Sequence, residues 1–169
     1  TAIDYPVLQR ENDNTYYLDH TIDHEEKTEG AIFTENYNNT DFEDPNTVIY
    51  GHDMRNGSMF KGLLDYRDKT FFDQNKEVLI YTPDAIRHYK IFAAYPYDSR
   101  HLLRSFHFTD KEVYQQYLYR IFAIRDMNAS IDTTAQVGTD DKILTLSTCY
   151  ANQPDMRFLV QAVLVSIEQ

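Results

Sequence analysis

The chain is expected to fold as a mainly β domain, a barrel or sandwich carrying small helices. Three observations lead there. Tyr and Phe supply 14 and 10 of the 169 residues, with no Trp, and aromatics beside many Thr, Val and Ile favour pleated, half-buried strands. Short apolar runs recur between clusters of Asn, Asp, Gly and Pro, the residues that favour turns. Only one long stretch carries clear helical spacing. A chain of this length, 42% hydrophobic, can bury a core without disulfide staples. No repeat or linker divides it, so residues 1–169 are read as a single domain.

The elements follow in order. Tyr5 to Gln9 reads as a short strand. Tyr16 to Asp19 reads as another, after the turn-prone Asn12-Asp13-Asn14. Asp23 to Glu29 is mostly charged and ends at Gly30, as a solvated loop would. Ala31-Ile32-Phe33 is a short strand, and Asn36 to Asn46 a series of turns. Thr47-Val48-Ile49-Tyr50 is β-branched and aromatic, a buried strand that stops at Gly51-His52. Met59 to Tyr66 has helical spacing through Met59, Phe60, Leu63 and Leu64. Val78 to Tyr81 and His88 to Tyr95 are strands joined by a turn at Pro83-Asp84. The long helix is expected near 110–124. Thr109 is its candidate N-cap, Glu112 completes a capping box, and Val113, Tyr117, Ile121 and Ile124 form its stripe. Ile143 to Cys149 and Phe158 to Ile167 are the last two strands.

Charge and hydropathy narrow the function classes. The formal net charge is −11 and the pI about 4.8, which repels phosphate backbones and argues against nucleic acid as a partner. No apolar run approaches the roughly 18 residues of a membrane span. Thr1 leads almost directly into Tyr5-Pro6-Val7-Leu8, so any targeting or anchoring segment is expected upstream of this sequence.

There is one cysteine, which leaves no intramolecular disulfide and no multi-cysteine metal site. A lone cysteine is commonly a small buried hydrophobe. Strand parity speaks against that here. Along Ile143 to Cys149, Leu144 and Leu146 share one face, expected to be the core, while Thr145, Ser147 and Cys149 share the other. After a loop from Tyr150 to Met156, Arg157 opens the final strand. In an antiparallel hairpin, Cys149 and Arg157 would stand opposite each other, with Cβ atoms about 4.5–5.5 Å apart. A guanidinium there stabilises a thiolate or an oxyanion, although an ion pair with Asp155 would be its ordinary role. A proton partner is also needed. Of six histidines, His52 emerges from a strand end through a glycine and is the best placed. His20 and His24 have i, i+4 spacing without helical periodicity, which makes a poor metal pair. His88 reads as an ordinary strand residue, and His101 and His107 lie in a loop-like stretch.

These residues match a family. Thr145-Leu146-Ser147-Thr148-Cys149 with Arg157, and Tyr50-Gly51-His52-Asp53-Met54 upstream, resemble the sortases, most closely class B. The resemblance extends through Asp4-Tyr5-Pro6-Val7-Leu8-Gln9, Asp13-Asn14 with Tyr17-Leu18, Gly30-Ala31-Ile32-Phe33, Met59-Phe60 and the helix near 110–124. It implies an eight-stranded β-barrel with peripheral helices, anchored by an N-terminal membrane segment at the extracytoplasmic face of a Gram-positive cell. It implies cleavage of a C-terminal sorting pentapeptide of secreted proteins through a thioacyl-enzyme. The acyl group then passes to an amine of a peptidoglycan precursor, with no cofactor or metal. Cys149 would be the nucleophile, His52 the general acid/base and Arg157 the oxyanion or substrate clamp. Asn14, Leu18, Tyr50 and Ser147 match positions lining the substrate groove. Asp53 departs from the Asn or His common in class B. The spacing of eight from Cys149 to Arg157 is slightly shorter than in some members. A hydrolytic cysteine peptidase without transfer, or an inert binding module, are the competing readings. Unperturbed thiol and imidazole would be charged together in only about 1% of molecules at pH 7.

Overall fold

The structure is a computed structural model and describes residues 1–150 and 152–169. Its strands are β1 (Val7–Leu8), β2 (Ile32–Thr34), β3 (Asn46–Tyr50), β4 (Glu77–Tyr81), β5 (Ile86–Asp98), β6 (Ser130–Ile131), β7 (Ile143–Tyr150) and β8 (Gln153–Glu168). The α-helices are α1 (Lys69–Gln74), α2 (Leu102–Ser105) and α3 (Lys111–Phe122). All eight strands join one sheet in the order β1-β2-β3-β7-β8-β5-β4, with β6 paired beside β4 on β5. The expected β class therefore holds, with one refinement. The hydrogen-bonded path is open between β1 and β4, and those two edges line a cavity of about 980 Å³ between them.

The sheet is buried on both faces. One core contains Ile49, Leu144, Leu146, Phe158 and Val160 with Phe60, Leu63 and Phe72. The other sets Val48, Ile143, Leu159 and Val163 against Tyr114, Tyr117, Leu118 and Ile121 of α3. The hydroxyl face of β7 is thus a second core under α3. A sequence alternating Leu with Thr and Ser gives no sign of that, because Thr145 and Ser147 are buried as polar groups, at 0% and 5% exposure.

Several local differences have clear causes. Tyr16–Leu18 is a 3₁₀ turn instead of a strand. The Asp13 carboxylate accepts from the Thr15 amide at 3.1 Å and hydroxyl at 2.9 Å, and Leu18 N–H closes onto Thr15 O at 3.0 Å, a local alternative to strand pairing. Met59 to Tyr66 becomes a 3₁₀ helix over Lys61–Arg67, followed by α1, which the apolar spacing did not announce. Helix α3 is capped by Asp110 and not Thr109; its carboxylate accepts from Glu112 N at 2.9 Å and Val113 N at 3.2 Å. An ionised cap also favours the positive end of the helix dipole. Its buried stripe runs through Tyr114, Tyr117, Leu118 and Ile121, rotated from the expected one. The expected loop from 150 to 156 is mostly strand, since β7 reaches Tyr150 and β8 begins at Gln153; Ala151 lies outside the described residues.

A row of buried polar side chains crosses the sheet beneath α3. Thr145 on β7 donates to Asn46 Oδ1 on β3 at 2.8 Å. Gln161 on β8 donates to Thr145 Oγ1 at 3.0 Å and to Tyr117 Oη of α3 at 2.6 Å. Its carbonyl accepts from Tyr95 Oη of β5 at 2.8 Å. Truncating Gln161 would leave a void and take a hydrogen bond each from buried Thr145, Tyr117 and Tyr95. Gln161→Ala is expected to cost roughly 2–4 kcal/mol, measured by urea unfolding at constant m-value.

Candidate active site

The β7–β8 register determines the site. Cys149 pairs directly with Arg157, followed by an irregularity that pairs Tyr150 with Gln153. The three extra residues on β8, Pro154 to Met156, bulge at the hairpin end. Arg157 wraps that bulge, with Nη1 donating to Pro154 O at 2.9 Å and Met156 O at 3.0 Å. These bonds engage only part of a guanidinium's five N–H donors. Its positive charge acts on the thiol, helping to hold the Cys149 pKa down. The site thus places an obligate cation beside a half-buried sulfur.

His52 reaches the same point from β3, which lies parallel to β7 on its other side. Gly51 permits the exit. A Cβ there would lie 2.5 Å from Ile32 Cδ1 and 2.7 Å from the Phe60 ring, so a side chain would have to push aside the packing around the strand end carrying His52. The imidazole Nε2 lies 2.6 Å from the backbone oxygen of Leu18. A carbonyl only accepts, so Nε2 carries the hydrogen and Nδ1 is left for the thiol. Leu18 is itself held by a close crossing of chains. Gly30 (φ 56°) passes so near that a Cβ would meet Tyr17 O at 2.3 Å and Leu18 O at 2.7 Å. Ala31 N–H also binds Tyr17 O at 2.9 Å. The glycine thus fixes the carbonyl that orients the imidazole.

The two reactive groups move each other's protonation in opposite directions. Hydrogen bonding to Cys149 is the largest influence on His52 and raises its pKa, against the opposing effect of burial; the Leu18 carbonyl adds to the rise. Hydrogen bonding to His52 is likewise the largest influence on Cys149 and lowers its pKa, with burial opposing and Arg157 assisting. Raising one and lowering the other brings the two values together, which enlarges the population holding thiolate and imidazolium at once. Asp53 sits beside both. Its charge raises His52 and also raises Cys149, so it supports the imidazolium while opposing the thiolate. Asp53 is also 3.8 Å from Lys61.

The other groove candidates separate. Tyr50 lies opposite Ser147 on the face that carries Cys149, half-buried, and Arg157 is near enough to affect its phenol. Leu18 is 45% exposed and next to His52. Ser147 is buried in the strand, its backbone oxygen accepting from Gly51 N–H at 3.1 Å. Asn14 is tied to Asn36, donating to Asn36 Oδ1 at 2.9 Å and accepting from its amide at 2.7 Å. His20 and His24 both lean on Tyr16, by stacking at 4.0 Å and by a 3.2 Å contact from Nδ1 to the phenol oxygen. Among the described residues no group of three or more His, Cys, Asp or Glu could hold a metal ion. Sequence reasoning missed Glu35 and His101, which meet near Tyr50 from two separate segments. No motif marks them.

A pH series of iodoacetamide alkylation checks the site's electrostatics. The rate should rise with a midpoint below that of an ordinary thiol, because the thiolate forms as pH climbs through a lowered pKa. His52→Ala should move the midpoint up. Asp53→Asn should move it down, since a charge that resists the thiolate is removed; an upward move would contradict the geometry.

The Sortase family model matches residues 1–165. Sortase B of Listeria monocytogenes is 33% identical over 98% of this chain and 66% of its own length, so the chain spans about two thirds of that relative. The Clostridium perfringens sortase B structure superposes with a TM-score of 0.83 at 32% identity, covering 98% of this chain and 89% of that one. A Staphylococcus aureus sortase B–substrate complex has a TM-score of 0.83 at 27% identity, over 98% and 76% of the two chains. A family match over residues 1–165 and a shared fold, around one cysteine set between a histidine and an arginine, establish that the chain belongs to the sortase family of cysteine transpeptidases, in class B.

Proposed function

We propose that the chain cleaves a C-terminal sorting signal of secreted proteins and transfers the acyl fragment to a cell-wall amine, with Cys149, His52 and Arg157 as its working residues. The observation that carries this reading is the convergence of those three side chains on the end of the β7–β8 hairpin. Cys149 Sγ, as thiolate, attacks the scissile carbonyl carbon. The oxyanion of the tetrahedral intermediate is stabilised by the Arg157 guanidinium. On collapse the C–N bond breaks, and His52 gives its proton to the leaving amine. A thioacyl-enzyme remains. An incoming amine loses a proton to neutral His52 as it attacks, and Cys149 departs as thiolate.

Tyr50 and Leu18 line the groove in this reading, with Asn14 shaping its loop through Asn36 and Ser147 supporting the strand from within. The donor is an extended sorting pentapeptide and the acceptor an amine of a peptidoglycan precursor. The enzyme works at the extracytoplasmic face of a Gram-positive membrane, held by a segment N-terminal to this sequence. No helix among the described residues is long and apolar enough to cross a membrane.

Two fluorogenic pentapeptides, Asn-Pro-Gln-Thr-Asn and Pro-Pro-Lys-Thr-Gly, test the reading. Cys149→Ala should abolish cleavage and the thioacyl adduct. His52→Ala and Arg157→Ala should each lower kcat/KM by at least about 10²-fold. Full turnover by Cys149→Ala would end the assignment. In a separate experiment, triglycine added to the wild-type reaction should appear in the product by mass spectrometry. Hydrolysed product alone would instead identify a peptidase without transfer.

A further inference from the structure

Glu35 follows the end of β2 and points into the face that carries Cys149. Its side chain is only 15% exposed. One carboxylate oxygen, Oε2, takes two partners from separate parts of the chain. The Tyr50 hydroxyl donates to it at 3.2 Å from the end of β3. His101 Nε2, from the connection between β5 and α2, contacts the same oxygen. The roles of both ring nitrogens follow from this arrangement. His101 Nδ1 accepts from Arg104 N–H at 3.2 Å and caps α2, so Nε2 bears the hydrogen and donates to Glu35. The Tyr37 ring packs edge-on against His101 at 5.2 Å.

Glu35 itself is fixed from behind. Gln9 Nε2 donates to the Glu35 backbone oxygen at 2.9 Å, to Asn38 O at 2.9 Å and to Thr34 Oγ1 at 3.1 Å. The carboxylate is therefore a rigid post joining the Tyr50 side of the site to the α2 side. It also assigns the phenol a role. A hydroxyl has one hydrogen, and that of Tyr50 is committed to Glu35. What remains toward the groove is a pair of acceptor sites. A ligand crossing Tyr50 must bring a donor, which for an extended peptide is a backbone N–H or a carboxamide.

We propose that Glu35 is a positioning residue for substrate specificity: it locks Tyr50 as a hydrogen-bond acceptor, and holds the α2 segment through His101, so that the groove selects a peptide amide donor. This deepens the transpeptidase reading and rests on it. Glu35 touches neither the Cys149 thiol nor the His52 imidazole, so its loss should change recognition and spare the chemistry.

The experiment compares Glu35→Ala, Glu35→Gln and Tyr50→Phe against wild type on whichever of the two pentapeptides is cleaved. Glu35→Ala should raise KM at least about fivefold with kcat within twofold. Glu35→Gln, whose carbonyl oxygen still accepts both donors, should restore KM to within about twofold. Replacing each non-scissile peptide N–H by an ester oxygen should reveal one position that weakens wild type about five- to tenfold, as expected for one lost hydrogen bond, and leaves Tyr50→Phe unaffected. Hydrogen–deuterium exchange without peptide should speed up at least tenfold over residues 101–105 in Glu35→Ala and stay unchanged in β7. An unchanged KM overturns the inference even if exchange is faster, since Glu35 would then only stabilise the fold. An ester penalty equally large in Tyr50→Phe also overturns it, as does unchanged exchange. If wild type cleaves neither pentapeptide, the transpeptidase reading fails by itself, while the exchange measurement still decides whether Glu35 holds α2.

Discussion

Thr145 and Gln161 are paired across the β7–β8 ladder and hydrogen-bonded through their side chains at 3.0 Å, fully buried. Four residues further along β7 is Cys149, and four residues earlier along β8 is Arg157. Four residues along a strand returns to the same face, so one pairing dictates the other. A slip of one residue would drive Gln161 into an apolar layer without partners and take a hydrogen bond each from Thr145, Tyr95 and Tyr117. The cost of such unmet groups makes the register effectively unique. Cys149 and the Arg157 cation across from it are therefore aligned by a hydrogen bond well inside the domain, under α3.

A second constraint works from the opposite side of β7. His52 is delivered by a parallel strand, while its ring is turned by a carbonyl from a turn near the N-terminus of the chain. Three distant segments thus meet at one thiol. The electrostatics follow from that meeting. The hydrogen bond to His52 lowers the thiol pKa most, burial raises it, and the Arg157 charge lowers it further. Asp53 adds an opposing charge that an Asn would not. The balance is one of close groups in a half-buried setting, where each contribution is larger than it would be in open water.

Much of this was legible in the chain itself. Each of β3, β7 and β8 contains a β-branched or apolar run, Thr47 to Tyr50, Ile143 to Leu146 and Phe158 to Val160, so their existence was clear. Hairpin parity placed Cys149 opposite Arg157, and the glycine at 51 pointed to His52. The second core was hidden because buried Thr, Ser and Gln look like surface residues until their partners are known. Tyr16–Leu18 misled because its aromatic composition favours a strand, while the Asp13 carboxylate, bonded to Thr15 just before it, closes a turn instead. The tether on His52 left no trace, since a backbone carbonyl has no sequence signature. Glu35 and His101 are ordinary residues 66 positions apart, and only the three-dimensional path of the chain unites them.

The choice of a main-chain oxygen to orient His52 shifts where the site is vulnerable to mutation. A carboxylate in that role could be lost by one codon change at its own position. No side-chain replacement at position 18 deletes the carbonyl, so the exposed Leu18 side chain is free to vary without releasing His52. The burden moves to Gly30, which contacts neither sulfur nor imidazole. In a saturation scan, position 30 would look like an intolerant loop residue with no evident purpose, and position 18 like a permissive one. Variation of the exposed side chain and retention of the His52 tether can thus proceed in the same turn, because they depend on different atoms of it.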